Sequence, residues 1–179
     1  MKYKIGVAGS GSGDFSKETI AHARQIGKKI VSQGAILLTG SAGGLSYESV
    51  KGAKEVGGFT IGISPAINYV EHKEKYNLPS DHFDIIIFTG FGFKGRNVIF
   101  VRSSDAIIIL GGGIGTLNEF TVAFDEDKII GILTNTKGIA DHIRKFLKDI
   151  QISVAKKIVY TTHPGSLIDC IFTLLKENC

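Results

Sequence analysis

Three glycine-rich segments carry the clearest chemistry in the sequence. They are Gly9-Ser10-Gly11-Ser12-Gly13, Gly40-Ser41-Ala42-Gly43-Gly44 and Gly111-Gly112-Gly113-Ile114-Gly115-Thr116. Each follows a short β-branched apolar run and precedes a stretch with helical periodicity. A glycine-rich turn from strand to helix puts bare N–H groups at the positive end of the helix, which suits a phosphate. One such turn reads equally well as a tight bend. Three at one edge of one sheet point to an anionic ligand of nucleotide size. No known phosphate motif is matched: the first segment lacks the dinucleotide-fingerprint spacing, and no GxxxxGK[ST] occurs. No acidic residue is well placed after the second strand to hold a ribose.

Two side chains next to these loops could act on such a ligand. Thr116-Leu117-Asn118-Glu119 has the spacing of a capping box, in which Thr116 caps a helix and Glu119 reaches back to it. The same spacing also puts a carboxylate on the first helical turn beside a phosphate loop. There it can hold a sugar hydroxyl or stabilise positive charge on a ribose ring. Arg96 heads a segment whose Val98, Ile99 and Val101 would pack inward. It is either an ion-paired surface residue or a ligand for phosphate or a leaving base.

Other titratable groups offer less. His22, His72, His82, His142 and His163 are scattered without HxxH or HExxH spacing, so no metal site is expected. Asp125-Glu126-Asp127 reads as a solvated turn. Lys137, Arg144, Lys145, Lys148, Lys156 and Lys157 read as the wet face of a helix, and Cys170 as a small core residue. No G-x-S-x-G elbow is present, which disfavours a serine hydrolase.

The elements that must position these groups alternate along the chain. Strands are expected at Ile5–Ala8, Ile36–Leu38, Thr60–Ile63, Ile85–Phe88, Ala106–Leu110, Ile129–Leu133 and Ile158–Tyr160. They are continuous apolar runs, as in a parallel sheet covered on both faces. Helical stripes occupy the gaps: Ile20, Ala23, Gly27 and Ile30; Ile139, Ile143, Phe146, Leu147 and Ile150; Leu167, Ile168, Ile171 and Leu175. The pattern predicts an α/β, doubly wound, mostly parallel Rossmann-like sheet of about seven strands, flanked by helices, in one domain over residues 1–179. Residues 66–83 form the one long irregular stretch.

Composition narrows the function classes. The chain has 179 residues, 43% hydrophobic and 21% charged, which excludes a disordered chain. Twenty-three glycines without a G-X-Y period fit tight turns and close backbone approach. A net charge of +4 makes nucleic-acid binding through the late basic residues the least favoured reading. Two cysteines near the C-terminus, no signal peptide and no long apolar run predict a cytoplasmic protein without membrane attachment.

The run from Gly95-Arg96-Asn97 through Asp105-Ala106 to Gly111-Gly112-Gly113-Ile114-Gly115-Thr116-Leu117-Asn118-Glu119 resembles the LOG (Lonely Guy) family. That family carries PGGxGTxxE after a helix with a functional arginine. Gly9-Ser10 and the Thr39–Leu45 loop resemble its other glycine-rich segments, so the resemblance spans about residues 4–133. It implies a Rossmann-like fold and a phosphoribohydrolase, which cleaves the N-glycosidic bond of a nucleoside monophosphate to free base and ribose phosphate. Arg96 and Glu119 would then be the catalytic pair. The phosphate and nucleotide would rest on Gly9, Ser10, Gly40, Ser41, Gly43, Gly44, Gly112, Gly113, Gly115 and Thr116. The resemblance also implies a homodimer or homotetramer and no cofactor. Relatives have been called lysine decarboxylases, but no lysine here has a pyridoxal-binding context.

Gly111 replaces the family's proline, Asn97 its usual lysine, and Gly44-Leu45-Ser46 its GLM. These departures resemble a shorter prokaryotic branch. Other branches carry molybdenum cofactor or bind single-stranded DNA. A non-catalytic carrier of a nucleotide or phosphorylated cofactor is therefore the alternative reading.

Overall fold

The computed structural model describes residues 1–152 and 157–177. Among them, seven strands form one sheet. They are β1 (Lys4–Gly9), β2 (Ile36–Thr39), β3 (Thr60–Ser64), β4 (Ile85–Phe88), β5 (Ala106–Leu110), β6 (Ile129–Leu133) and β7 (Ile158–Thr161). Their order is β4-β3-β2-β1-β5-β6-β7 and every pairing is parallel. The fold is Rossmann-like α/β, as the strand–helix alternation predicts. Ile5 pairs with Leu37 of β2 on one side and Ala106 of β5 on the other. The chain winds outward in opposite directions from β1 and β5, so a crevice opens between them where connections diverge.

Helices α1 (Lys17–Ser32), α2 (Gly44–Glu55) and α6 (Pro164–Glu177) cover one face. Helices α3 (Gly92–Arg102), α4 (Ile114–Asp125) and α5 (Ile143–Asp149) cover the other. Strand alternation divides β5 between them: Ile108 and Leu110 join the first layer, Ile107 and Ile109 the second. All four are fully buried, each contributing about 1.5–3 kcal/mol of apolar transfer. Ser16 caps α1 by accepting the Thr19 N–H at 3.1 Å. The backbones of α1 and α2 touch at two glycines. A methyl on Gly27 would lie 1.9 Å from the Ser49 carbonyl, and one on Gly52 2.1 Å from that of Arg24.

Several expectations are corrected. β4 is an edge strand, so Ile85 and Ile87 are exposed instead of covered. The stripe Ile139–Ile150 breaks into a 3-10 turn (Gly138–Asp141) and α5. Ile143 and Leu147 are buried, whereas Phe146 and Ile150 face solvent. Cys170 is exposed, one position off the buried stripe of α6. In α3, Val98 and Ile99 are only half-buried, while Arg96, Asn97, Phe100 and Val101 are buried.

The stretch 66–83 is anchored and contains a π-helical turn, Glu71–Lys75. His72, fully buried, is bonded through Nδ1 to Ser64 Oγ at 2.8 Å and through Nε2 to the Pro79 carbonyl at 3.0 Å. Lys156 and Cys179 lie outside the described residues.

Candidate functional site

The three glycine-rich loops converge because β2, β1 and β5 are neighbours. Ser10 joins them. Its carbonyl accepts the Leu45 N–H at 2.9 Å, and its Oγ accepts the Gly112 N–H at 2.7 Å. Thr136, in the loop after β6, completes the support: its Oγ1 accepts the Gly111 N–H and donates to the Leu133 carbonyl, both at 2.8 Å. Gly111 and Gly112 have φ of +58° and +89°, the left-handed region that favours glycine.

A cleft of about 410 Å³ opens above this junction, within the range of small-molecule sites. Of the expected binding positions, Gly9, Ser10, Gly40, Gly113, Gly115 and Thr116 line it, together with Arg96 and Glu119. Ser41, Gly43, Gly44 and Gly112 do not. Ser41 is buried against Gly62 of β3, and its Oγ has no partner among the described residues. Gly44 lies under the Ser10 carbonyl, 2.1 Å from where its methyl would stand. The Gly112 amide is already spent on Ser10.

The capping box is not formed. α4 begins at Ile114 after Gly113, and no side chain among the described residues caps it. Thr116 is the third helical residue and packs over Gly112, so Glu119 lies too deep in the helix to reach back. The first-turn amides of α4 thus lack intrahelical acceptors and stand at the cleft. Methyl groups on Gly113 or Gly115 would meet nothing within 4 Å.

Glu119 instead faces Arg96. Arg96 Nη1 donates to Glu119 Oε1 at 3.0 Å, with the two residues 4% and 7% exposed. This is neither the surface pair nor the solvated arginine of the simpler reading. Arg96 Nε is buried without a partner among the described residues. Burial pushes the Glu119 carboxyl up to about 7, against the pull of Arg96 and, more weakly, Lys94. Burial likewise lowers the Arg96 guanidinium, opposed by Glu119. Asn97 ties α3 to α4 through Asn118 Oδ1 at 2.8 Å and the Gly115 carbonyl at 3.5 Å.

Ser46, Phe93 and Lys94 also line the cleft and escaped the sequence reading. Phe93 had a signal: it precedes Arg96 by three positions and Asn97 by four, the spacing of one helix face. Thr136 had none, because the Gly111 amide it supports belongs to another strand's loop.

A cleft at the switch point of a parallel sheet is where Rossmann-like α/β proteins hold nucleotides and cofactors. This chain belongs to the SLOG cluster4 family, whose profile matches residues 2–168. An uncharacterized protein of Archaeoglobus fulgidus is 41% identical over 130 residues, covering 73% of this chain and 79% of its own. The molybdenum cofactor binding protein of Rippkaea orientalis has a similar structure, with a TM-score of 0.79 and 31% identity over 98% of each chain. The molybdenum cofactor carrier protein of Chlamydomonas reinhardtii has a TM-score of 0.79 and 33% identity, over 98% of this chain and 99% of its own. Among the described residues, no helix is long and apolar enough to cross a membrane.

Proposed function

We propose that the cleft binds a phosphorylated cofactor and releases it intact, as a carrier of the molybdenum-cofactor type. The observation that carries this reading is the set of anion donors at the cleft: the first-turn amides of α4, which lack intrahelical acceptors, open onto a wall that also holds Lys94 and Arg96. Likeness to two molybdenum-cofactor proteins over nearly their whole lengths supports it. The site suits such cargo, a pterin bearing a phosphate. The open α4 amides and Lys94 offer donors and positive charge to the phosphate. Arg96 Nε is a buried donor without an acceptor among the described residues. To test it, protein purified from a host that makes molybdenum cofactor is denatured and assayed for the oxidised fluorescent pterin and for molybdenum. Both are expected near stoichiometry, and their absence counts against the carrier reading.

A second reading, the phosphoribohydrolase, is favoured by one feature: Glu119 lines the cleft with a raised carboxyl pKa, the property of a group that exchanges protons near neutrality. Incubation with AMP and other nucleoside monophosphates, followed by chromatography for free base, decides between the two. The carrier releases none. The hydrolase releases base, and loses that activity in Glu119→Gln.

A homodimer or homotetramer belongs to the same proposal. Phe91 and Ile114, 70% and 74% exposed at the starts of α3 and α4, are the apolar surface it would cover. Light scattering on the eluted protein tests it, and a monomeric mass rejects it.

A further inference from the structure

The wall of the cleft built by α3 has its own chemistry. Phe93 lines the cleft from the first turn of α3 and is 46% exposed. An aromatic ring lining a cleft among polar groups offers an apolar face on which a planar ligand can stack. The ring is held on two sides. Tyr76 packs against it edge-to-face, with centroids 5.2 Å apart and planes at 87°. The Arg96 guanidinium carbon lies 5.9 Å from its centroid, within cation–π range. Tyr76 is itself placed by the segment that His72 fastens to Ser64 and Pro79. The ring is thus preorganised.

Its distance from the phosphate loop is also set. Asn97, one helical turn further along α3, touches the Gly115 carbonyl at the start of α4. Phe93 therefore stands about one turn, roughly 5–6 Å along the axis, from the level of the α4 amides. A pentose or a short phosphorylated arm bridges a gap of that order. Arg96 and Glu119 line the same cleft.

Building on the phosphorylated-ligand reading, we propose that Phe93 is the stacking platform for a fused-ring heteroaromatic head, purine or pterin, whose phosphate sits at the start of α4. Arg96 has a positioning role in this arrangement, holding both Glu119 and the Phe93 ring. Specificity for ring-bearing ligands over bare sugar phosphates then comes from one side chain.

Calorimetric titration of the full chain with AMP, neopterin phosphate and ribose 5-phosphate tests this, in wild type, Phe93→Leu and Phe93→Ala. Stacking on an aromatic side chain is worth about 1–3 kcal/mol by alanine substitution, or roughly 5- to 150-fold. Phe93→Ala should weaken AMP, neopterin phosphate or both by about that factor. Ribose 5-phosphate affinity should stay within about twofold. Phe93→Leu keeps the apolar bulk against Tyr76 and should lose most of the same affinity. The ligand with the larger penalty identifies purine or pterin as the head.

Equal weakening of all three ligands, or unchanged binding of both ring-bearing ones, overturns the stacking role while leaving the phosphate site standing. A wild type that binds none of the three overturns the phosphorylated-ligand reading, and this inference with it.

Discussion

Gly40 and Arg96 compete for one volume: a methyl on Gly40 would lie 1.7 Å from Arg96 Nη1. The second glycine-rich loop is therefore also the seat of the buried guanidinium. Gly40→Ala should push Arg96 off Glu119. Breaking a buried pair costs about 3–5 kcal/mol, so a loss of roughly 3 kcal/mol is expected in urea unfolding, with weaker binding of phosphorylated ligands. A variant with the wild-type midpoint would show that the guanidinium has room to move.

Glu119 makes stability depend on pH in a stated direction. Its carboxyl titrates near 7 in the folded protein, above its ordinary value of 4.5. Between these values the folded state binds more protons than the unfolded one, so stability falls as pH rises. Glu119→Gln removes that slope. The Tm difference between variant and wild type should shift in favour of the variant from pH 5 to pH 8, whatever constant offset Arg96 adds. Parallel Tm profiles would contradict the assignment.

His72 works in the opposite sense. Burial lowers its imidazole below the ordinary 6.5, aided by Lys73 and opposed by the bond to the Pro79 carbonyl. The unfolded chain then takes up more protons, so the contribution is complete above pH 6.5 and is lost as pH falls below it. His72→Phe should be less stable at pH 7, having lost two hydrogen bonds. It should also show a smaller drop in Tm between pH 7 and pH 5 than wild type. An equal drop would place the acid sensitivity elsewhere.

Thr136→Val tests the support beneath the glycine loop. It keeps the volume but strips Gly111 N–H and the Leu133 carbonyl of a buried partner. Each orphaned group costs about 1–3 kcal/mol. Chemical denaturation should show a loss of about 2 kcal/mol or more, and a loss below about 0.5 kcal/mol would mean that water replaces the hydroxyl.

The sheet was readable because its interior strands are continuous apolar runs that a two-sided cover explains; β5 and β6 have the bounds expected from the sequence, Ala106–Leu110 and Ile129–Leu133. β4 has the same composition, and nothing local marks it as an edge, since that depends on where the chain runs next. Glycine spacing located the loops but not the direction each atom faces. Ser41 and Ser10 look alike in sequence, yet one backs onto Gly62 and the other bridges two loops. The capping-box reading of Thr116 and Glu119 failed because α4 starts three residues earlier than that motif requires. A carboxylate freed from that role met Arg96, a partner 23 positions away that no helix rule brings near.

The central place of β1 has a consequence for how the molecule is made. Its partners are β2, nearby in the chain, and β5, about a hundred residues later. As the polypeptide leaves the ribosome, β1 must wait with one flank bare until residue 110 has emerged. A product cut short before that point would expose the ladder groups of Val7 and Ala8, inviting a second nascent chain to fill the gap.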